Sequence, residues 1–151
     1  MNVGAICQRV PFTIRQSDDV ICAAQLMRRK HVGYLVVVEP DAAAGFPRAV
    51  GVLTDRDIVI TTVAPEVDPR RVRVGDIMTT NPVTVAETDP IEEALKVMRR
   101  AGVRRAPVVD HRRQIIGVIS LDDMLMALAS NTPDIVAAIR QERQIDGRLR
   151  S

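Results

Sequence analysis

Gly51-Val52-Leu53-Thr54-Asp55-Arg56-Asp57 is echoed further along the chain by Gly117-Val118-Ile119-Ser120-Leu121-Asp122-Asp123. Each stretch runs glycine, two apolar residues, a hydroxyl, two more residues and an aspartate. The apolar run reads as the end of a buried strand. The hydroxyl reads as a helix N-cap, and the aspartate three residues on completes a capping box. A strand-to-helix turn written twice in the same pattern points to a duplicated unit.

A shift of about 71 residues lays Val3-Gly4-Ala5-Ile6 on Val74-Gly75-Asp76-Ile77, and Pro11-Phe12-Thr13-Ile14 on Pro82-Val83-Thr84-Val85. The same shift lays Met27-Arg28-Arg29 on Met98-Arg99-Arg100, and Val37-Val38 on Val108-Val109. About 13 of roughly 37 paired positions from Val3 to Glu39 are identical without a gap, far more than chance provides. The shift then falls to about 66, because the first repeat carries roughly five extra residues within Asp41–Arg48. The stretch Thr61–Arg73 holds Pro65, Pro69 and a charge cluster and contains the linker. The organisation expected is repeat 1 over residues 1–64, linker over 65–73, repeat 2 over 74–130, and a C-terminal helix and tail over 131–151.

Each repeat spells the order β-α-β-β-α. A short strand is expected at Phe12–Ile14 and at Val83–Val85. A helix follows, its apolar stripe being Val20, Ala23, Ala24 and Met27 in one repeat and Ile91, Ala94, Leu95 and Met98 in the other. Asp89 before Pro90, with Glu92, reads as an N-cap, first helical residue and capping box. Two strands come next, Tyr34–Val38 with Val50–Leu53, and Ala106–Val109 with Ile115–Ile119. A second helix closes each unit, over about Asp55–Val63 and Leu121–Ala129. The fold class is therefore α/β (α+β). A three-stranded sheet of about 60 residues with helices on one face is marginal alone. Two such repeats packed sheet to sheet, with pseudo-twofold symmetry and two equivalent clefts, are the expected solution.

Composition narrows the function. Hydrophobic residues make up 46% but aromatics only 2%, with no Trp, one Tyr and two Phe, so the core is aliphatic. Aromatic platforms for stacking single-stranded nucleic acid are nearly absent. The 21 basic and 19 acidic residues leave a net charge of +2, too balanced for a nucleic-acid footprint. The basic run Arg140–Arg150 reads as a solvated helix face and tail. Cys7 and Cys22 have no metal-ligand spacing and read as buried free thiols. No apolar stretch is long enough for a bilayer span, and no signal peptide is apparent, so a cytoplasmic protein is expected. His31 and His111 have no matching Ser, Cys or metal-ligand set, and Asp18-Asp19 and Glu92-Glu93 sit where helix dipoles account for them. No catalytic constellation and no metal set emerges, and the reading is not an enzyme.

In the second repeat Val74-Gly75-Asp76-Ile77-Met78 leads into Pro82-Val83-Thr84-Val85, and Val103-Arg104-Arg105-Ala106-Pro107-Val108-Val109 follows. Each repeat ends on Gly-apolar-apolar-(Thr/Ser)-x-x-Asp. On these marks, spanning Val3 to Ala129, the chain resembles the CBS-domain family in its tandem form, the Bateman module. Gly51–Ile60 is especially similar to stand-alone bacterial CBS-pair proteins, including the hypoxic response protein type. Repeat 1 departs from the pattern at Leu35-Val36, where repeat 2 has Ala106-Pro107, and at Ala5, where repeat 2 has Asp76.

The resemblance implies a regulatory or sensor module that binds an adenine nucleotide or adenosyl ligand (AMP, ADP, ATP, NAD or S-adenosylmethionine) in one or both clefts between the repeats. It implies Thr54 or Ser120 toward phosphate and Asp57 or Asp123 on the ribose hydroxyls. It places the adenine slot beside Thr13, Ile14, Gly33, Tyr34 and Val36 for one cleft, and beside Thr84, Val85, Arg105, Ala106 and Pro107 for the other. Ordinary sheet-core packing accounts for the same residues equally well. Chemistry adds that a helix start suits phosphate oxygens, and that Arg56, Arg104 and Arg105 are candidates to neutralise phosphate. Gly51, lacking Cβ, admits either a ligand or a neighbouring backbone. The resemblance further implies a homodimer of CBS pairs and an unknown downstream protein partner. The alternative is a ligand-independent interaction or dimerisation scaffold in which both motifs are only helix caps. Nucleic acid is a distant third. A C-terminal helix over Pro133–Ile145, with Ile135, Ala138, Ile139 and Glu142 at helical spacing, is expected to pack on its own module or across a dimer.

Overall fold

Residues at helical spacing bury one face, and that rule builds the two long helices of the sheet units. In the computed structural model, which describes residues 1–129 and 133–149, α2 (Val20–Lys30) buries Val20, Ala23 and Met27, and α5 (Ile91–Ala101) buries Ile91, Ala94 and Met98. Ala24, expected in the stripe, is exposed. The face turns instead toward Leu26, which is half-buried, while Leu95 of α5 is half-buried as expected. Asp19 caps α2, accepting from the Cys22 N–H at 2.8 Å, and His31 ends it in the left-handed conformation that Gly102 adopts after α5. The expected cap of α5 is corrected. Pro90 is its N-cap and makes no side-chain bond, while Asp89 Oδ2 accepts from the Ala86 N–H at 2.9 Å and so closes the preceding turn. Proline at the N-cap leaves that carboxylate free to serve the turn.

The strands are β1 (Gln8–Arg9), β2 (Thr13–Arg15), β3 (Tyr34–Glu39), β4 (Arg48–Thr54), β5 (Thr79–Thr80), β6 (Val85–Ala86), β7 (Arg105–Val109) and β8 (Ile115–Ser120). They form two four-stranded sheets, ordered β2-β3-β4-β5 and β1-β8-β7-β6. The central pairs β3/β4 and β7/β8 are antiparallel, and β2 and β6 join them in parallel. Each sheet has a fourth strand where three were expected, and the other repeat supplies it. Strand β5, from the start of repeat 2, pairs with β4; β1, from the start of repeat 1, pairs with β8. The short helices α1 (Val3–Ile6) and α4 (Val74–Ile77) precede these exchanged strands. The compact units accordingly comprise Phe12–Pro82 with the residues from Asp146 on, here called the repeat-1 unit, and Met1–Pro11 with Val83–Ile145, the repeat-2 unit.

Each unit has its own aliphatic core. Ile14, Ala23, Met27, Leu35, Val37, Leu53 and Val74 cluster in the repeat-1 unit. Val3, Val85, Ile91, Ala94, Met98, Ala106, Val108, Ile119 and Met124 cluster in the other. Val74 and Val3, just ahead of the exchanged strands, are fully buried, so the exchange is anchored in the core as well as by strand pairing. Burying side chains of this size contributes about 1.5–3 kcal/mol each. Of the two thiols, both free, Cys7 is half-buried and Cys22 exposed, because Cys22 lies off the buried face of α2; both had been expected inside.

The second helix differs between units. In the repeat-1 unit α3 (Asp55–Ile58) passes into a π-helical turn over Val59–Val63. There the Thr61 and Thr62 hydroxyls each donate to the carbonyl four residues back, at 2.6 Å, and Ala64 N–H reaches the Val59 carbonyl at 3.0 Å. In the repeat-2 unit α6 (Leu121–Leu128) is regular. Helix α7 runs Pro133–Leu149, longer than expected; Ala138 is exposed and Ile139 half-buried. The side chain of Ile135, and Arg150, lie outside the described residues.

Candidate functional site: two strand-to-helix turns

The residues marked in each repeat come together inside one unit. In the repeat-1 unit Thr13 faces Val36 in the β2/β3 register, and Tyr34 faces Thr54 in the β3/β4 register. The Asp55 N–H donates to the Gly33 carbonyl at 3.1 Å. The repeat-2 unit matches the last two of these contacts. Arg105 faces Ser120, and the Leu121 N–H donates to the Arg104 carbonyl at 2.8 Å. Thr84 lies immediately before Val85 of β6, which pairs with Val108, and Pro107 pairs with Val118. Within each set, Ile14, Val36, Val85, Ala106 and Pro107 are buried. Thr13, Arg56, Arg104 and Arg105 are exposed; Tyr34, Thr84 and the hydroxyl and aspartate of each motif are half-buried.

Both capping boxes are formed. Thr54 Oγ1 accepts from the Asp57 N–H at 3.1 Å, and Asp57 Oδ2 accepts from the Thr54 N–H at 2.8 Å. Ser120 and Asp123 repeat those two bonds at 3.1 and 2.8 Å. The first-turn donors expected to face phosphate are therefore largely engaged. In the repeat-1 unit even the Arg56 N–H is taken, by Asp55 Oδ1 at 2.9 Å. What remains open there is the Thr54 hydroxyl proton and Asp57 Oδ1, which has no partner among the described residues. A carboxylate oxygen held this way by its own helix cap is preorganised to accept from a hydroxyl.

The repeat-2 turn is not open in the same way. The Ser120 hydroxyl donates to Asp123 Oδ2 at 2.6 Å, and Arg143 of α7 donates to Asp123 Oδ1 at 2.8 Å and to Ser120 Oγ at 3.3 Å. The Asp123 side chain is only 10% exposed in this pair. Arg143 is the residue that sequence reading missed: it belongs to the basic run read as a solvated face, and repeat 1 has no counterpart against which to compare it. Arg104 pairs loosely with Asp122 at 3.5 Å.

The motif glycines have a structural role. A Cβ on Gly51 would lie 2.6 Å from Met78 Sδ and 2.9 Å from the Thr79 carbonyl, and one on Gly117 would strike the Gln8 carbonyl. Of the two explanations left open for the missing Cβ, the structure supplies the neighbouring backbone. A concavity of about 1010 Å³ in the repeat-1 unit shares Thr13 and Ile14 with the expected slot. It runs from there to α2 and the Pro40–Pro47 loop, which contains the extra residues of repeat 1, and it does not include Thr54 or Asp57. The bonded geometry of the turns is the better guide to the chemistry, because the concavity is open and contains neither group of the repeated motif.

The family model for the CBS domain matches twice, over residues 3–61 and 74–130. The chain belongs to the CBS domain family. Hypoxic response protein 1 of Mycobacterium tuberculosis is 32% identical over 124 residues, covering 82% of this chain and 78% of that protein. Among solved structures, a putative signal-transduction protein with CBS domains from Burkholderia ambifaria superposes with a TM-score of 0.75 at 28% identity, covering 87% of this chain and 96% of the other. A CBS domain protein of Pyrobaculum aerophilum complexed with AMP superposes with a TM-score of 0.72 at 26% identity, covering 86% and 99%. CBS pairs are in general regulatory modules, and adenosyl ligands are bound by members with this fold. Among the described residues no helix is long and apolar enough to cross a membrane.

Proposed function

We propose that this CBS pair is a ligand-responsive regulatory module that binds an adenosyl ligand at one or both of its strand-to-helix turns and releases it unchanged. The observation that carries this reading is the repeated turn itself: a hydroxyl and a carboxylate held by the same two backbone bonds in each sheet unit, with Thr54 and Asp57 still able to bond outward. The AMP-bound relative supports the ligand class. Asp57 accepts from the vicinal ribose hydroxyls, Thr54 donates to phosphate, and the exposed Arg56 beside them neutralises charge. The candidates are AMP, ADP, ATP, NAD and S-adenosylmethionine. The test is a thermal-shift panel of these five, with recovery of the ligand afterwards. A bound ligand raises the melting temperature by mass action and is recovered intact. Consumption of the ligand, dependent on Asp57 or Asp123, contradicts the regulatory reading.

A second reading has its own observation. Both motifs satisfy themselves as capping boxes, and that is all a ligand-independent interaction scaffold requires. A flat response across the whole panel favours it. In either reading the module works as a homodimer. Val59, Ile60 and Val63 in the repeat-1 unit, and Leu125 and Leu128 in the repeat-2 unit, expose apolar side chains from the helices that follow the turns. Clustered apolar exposure of this kind is a mark of association.

A further inference from the structure

The two turns share one sequence pattern and one box geometry, yet among the described residues only the repeat-2 turn is covered by an arginine. On Asp123, Oδ2 accepts from the Ser120 N–H at 2.8 Å and from the Ser120 hydroxyl at 2.6 Å, while Oδ1 accepts from Arg143 at 2.8 Å. Ser120 Oγ accepts from the Asp123 N–H at 3.1 Å and from Arg143 at 3.3 Å. A carboxylate offers about four lone-pair sites, so the outward-facing share of Asp123 is held by the guanidinium. The pair is charge-assisted and, at 10% exposure of the carboxylate, shielded from water. Asp57, in the same box, meets no such cation among the described residues. With three of its four sites taken, Asp123 cannot accept from both hydroxyls of a ribose diol while Arg143 is in place.

We propose that Arg143 is a latch: it closes the repeat-2 turn with the C-terminal helix, makes the two ligand sites unequal, and couples filling of the second site to release of α7. The coupling rests on the adenosyl-binding reading above; the latch itself does not. A site that binds only in its unlatched fraction has its apparent affinity lowered by that fraction. By reciprocity, a ligand at Asp123 drives the helix off. The first site responds to low ligand with α7 docked. The second fills at higher concentration and frees the C-terminal helix as the output.

Two measurements decide it. The first is hydrogen exchange across α7 in the ligand-free protein, for wild type, Arg143→Ala and Asp123→Asn, with Arg140→Ala as a control that removes the same charge from the same helix. The expected result is faster exchange in α7 for the first two variants and none for the control. Unchanged α7 protection in Arg143→Ala overturns the latch whatever AMP does. The second is calorimetric titration of AMP in the Asp57→Asn background, where only the repeat-2 turn remains intact. Adding Arg143→Ala is expected to tighten AMP by about tenfold or more. Simple attraction between arginine and phosphate requires the opposite sign, so unchanged or weaker binding overturns the coupling. If AMP binds no variant, wild type included, the adenosyl reading and its coupling both fail, while the exchange data still decide the latch.

Discussion

Gly117 of β8 lies directly under the backbone carbonyl of Gln8 in β1, with no room between them for a Cβ. The two residues belong to different sequence repeats, and their contact is the seam along which the start of repeat 1 is stitched to the sheet of repeat 2. Gly51 has the same relation to β5, but its nearest obstacle is the end of the Met78 side chain, which can move aside. Gly117→Ala is therefore expected to cost about 2–3 kcal/mol and Gly51→Ala about 1–2 kcal/mol, within the range for overpacking. Chemical denaturation of both variants checks the order. Equal or reversed losses mean that the exchanged strands are not held as described.

That seam also marks the limit of what the sequence discloses. Helical periodicity located α2 and α5, and the repeated Thr/Ser-x-x-Asp located the boxes, because each is a local pattern within a few residues. The exchange of β1 and β5 is not local. Gln8-Arg9 and Thr79-Thr80 are short and polar, with no alternation to announce a strand, and only their partners make them one. Gly51 and Gly117 were the available signal, since a glycine inside an apolar strand points to close approach by something. Deciding between ligand and backbone needed the fold. Arg143 is the same lesson at the site: nothing in Arg140–Arg150 distinguishes one arginine from the next until α7 is placed beside Ser120.

At the start of α2, Asp19 couples a helix cap to an exposed thiol. Its carboxyl is held below the ordinary value, chiefly by the backbone N–H of Cys22 and then by the Cys22 side chain, and the Cys22 thiol is pushed up by the same hydrogen bond. Because the folded state depresses the Asp19 pKa, its contribution is present above the ordinary carboxylate range and lost as pH falls through that range and below. Melting temperature is expected to fall on acidification below about pH 4, and Asp19→Asn is expected to flatten that part of the profile. The same variant should speed alkylation of Cys22 at neutral pH, because the Asp19 carboxylate no longer holds the thiol proton by a hydrogen bond or repels the thiolate, although Asp18 still does. Faster alkylation with an unaltered acid profile breaks the link between the two.

The exposed apolar helices give a third test. Ile60 is 55% exposed and Val63 67%. Replacing either with Glu introduces a charge into the proposed dimer contact while altering little inside the unit. Light scattering at tens of micromolar, about the range in which weak dimers form, is expected to show a dimer for wild type and a monomer for the variants. Wild type running as a monomer at that concentration removes the dimer.

The central claim is that Asp57 is a ligand contact as well as a cap, and a single substitution separates the two. Asparagine keeps the size and one carbonyl acceptor, so the box bond to the Thr54 N–H at 2.8 Å survives in part and the stability loss stays within about 1 kcal/mol. The carboxylate bonds to two ribose hydroxyls do not survive. The measurement is calorimetric titration of AMP into wild type and Asp57→Asn, with thermal melting of both. Binding weaker by about 10- to 100-fold, with melting nearly unchanged, is the expected result. An Asp57→Asn protein that binds AMP as wild type does but melts earlier makes Asp57 a helix cap alone and contradicts the account.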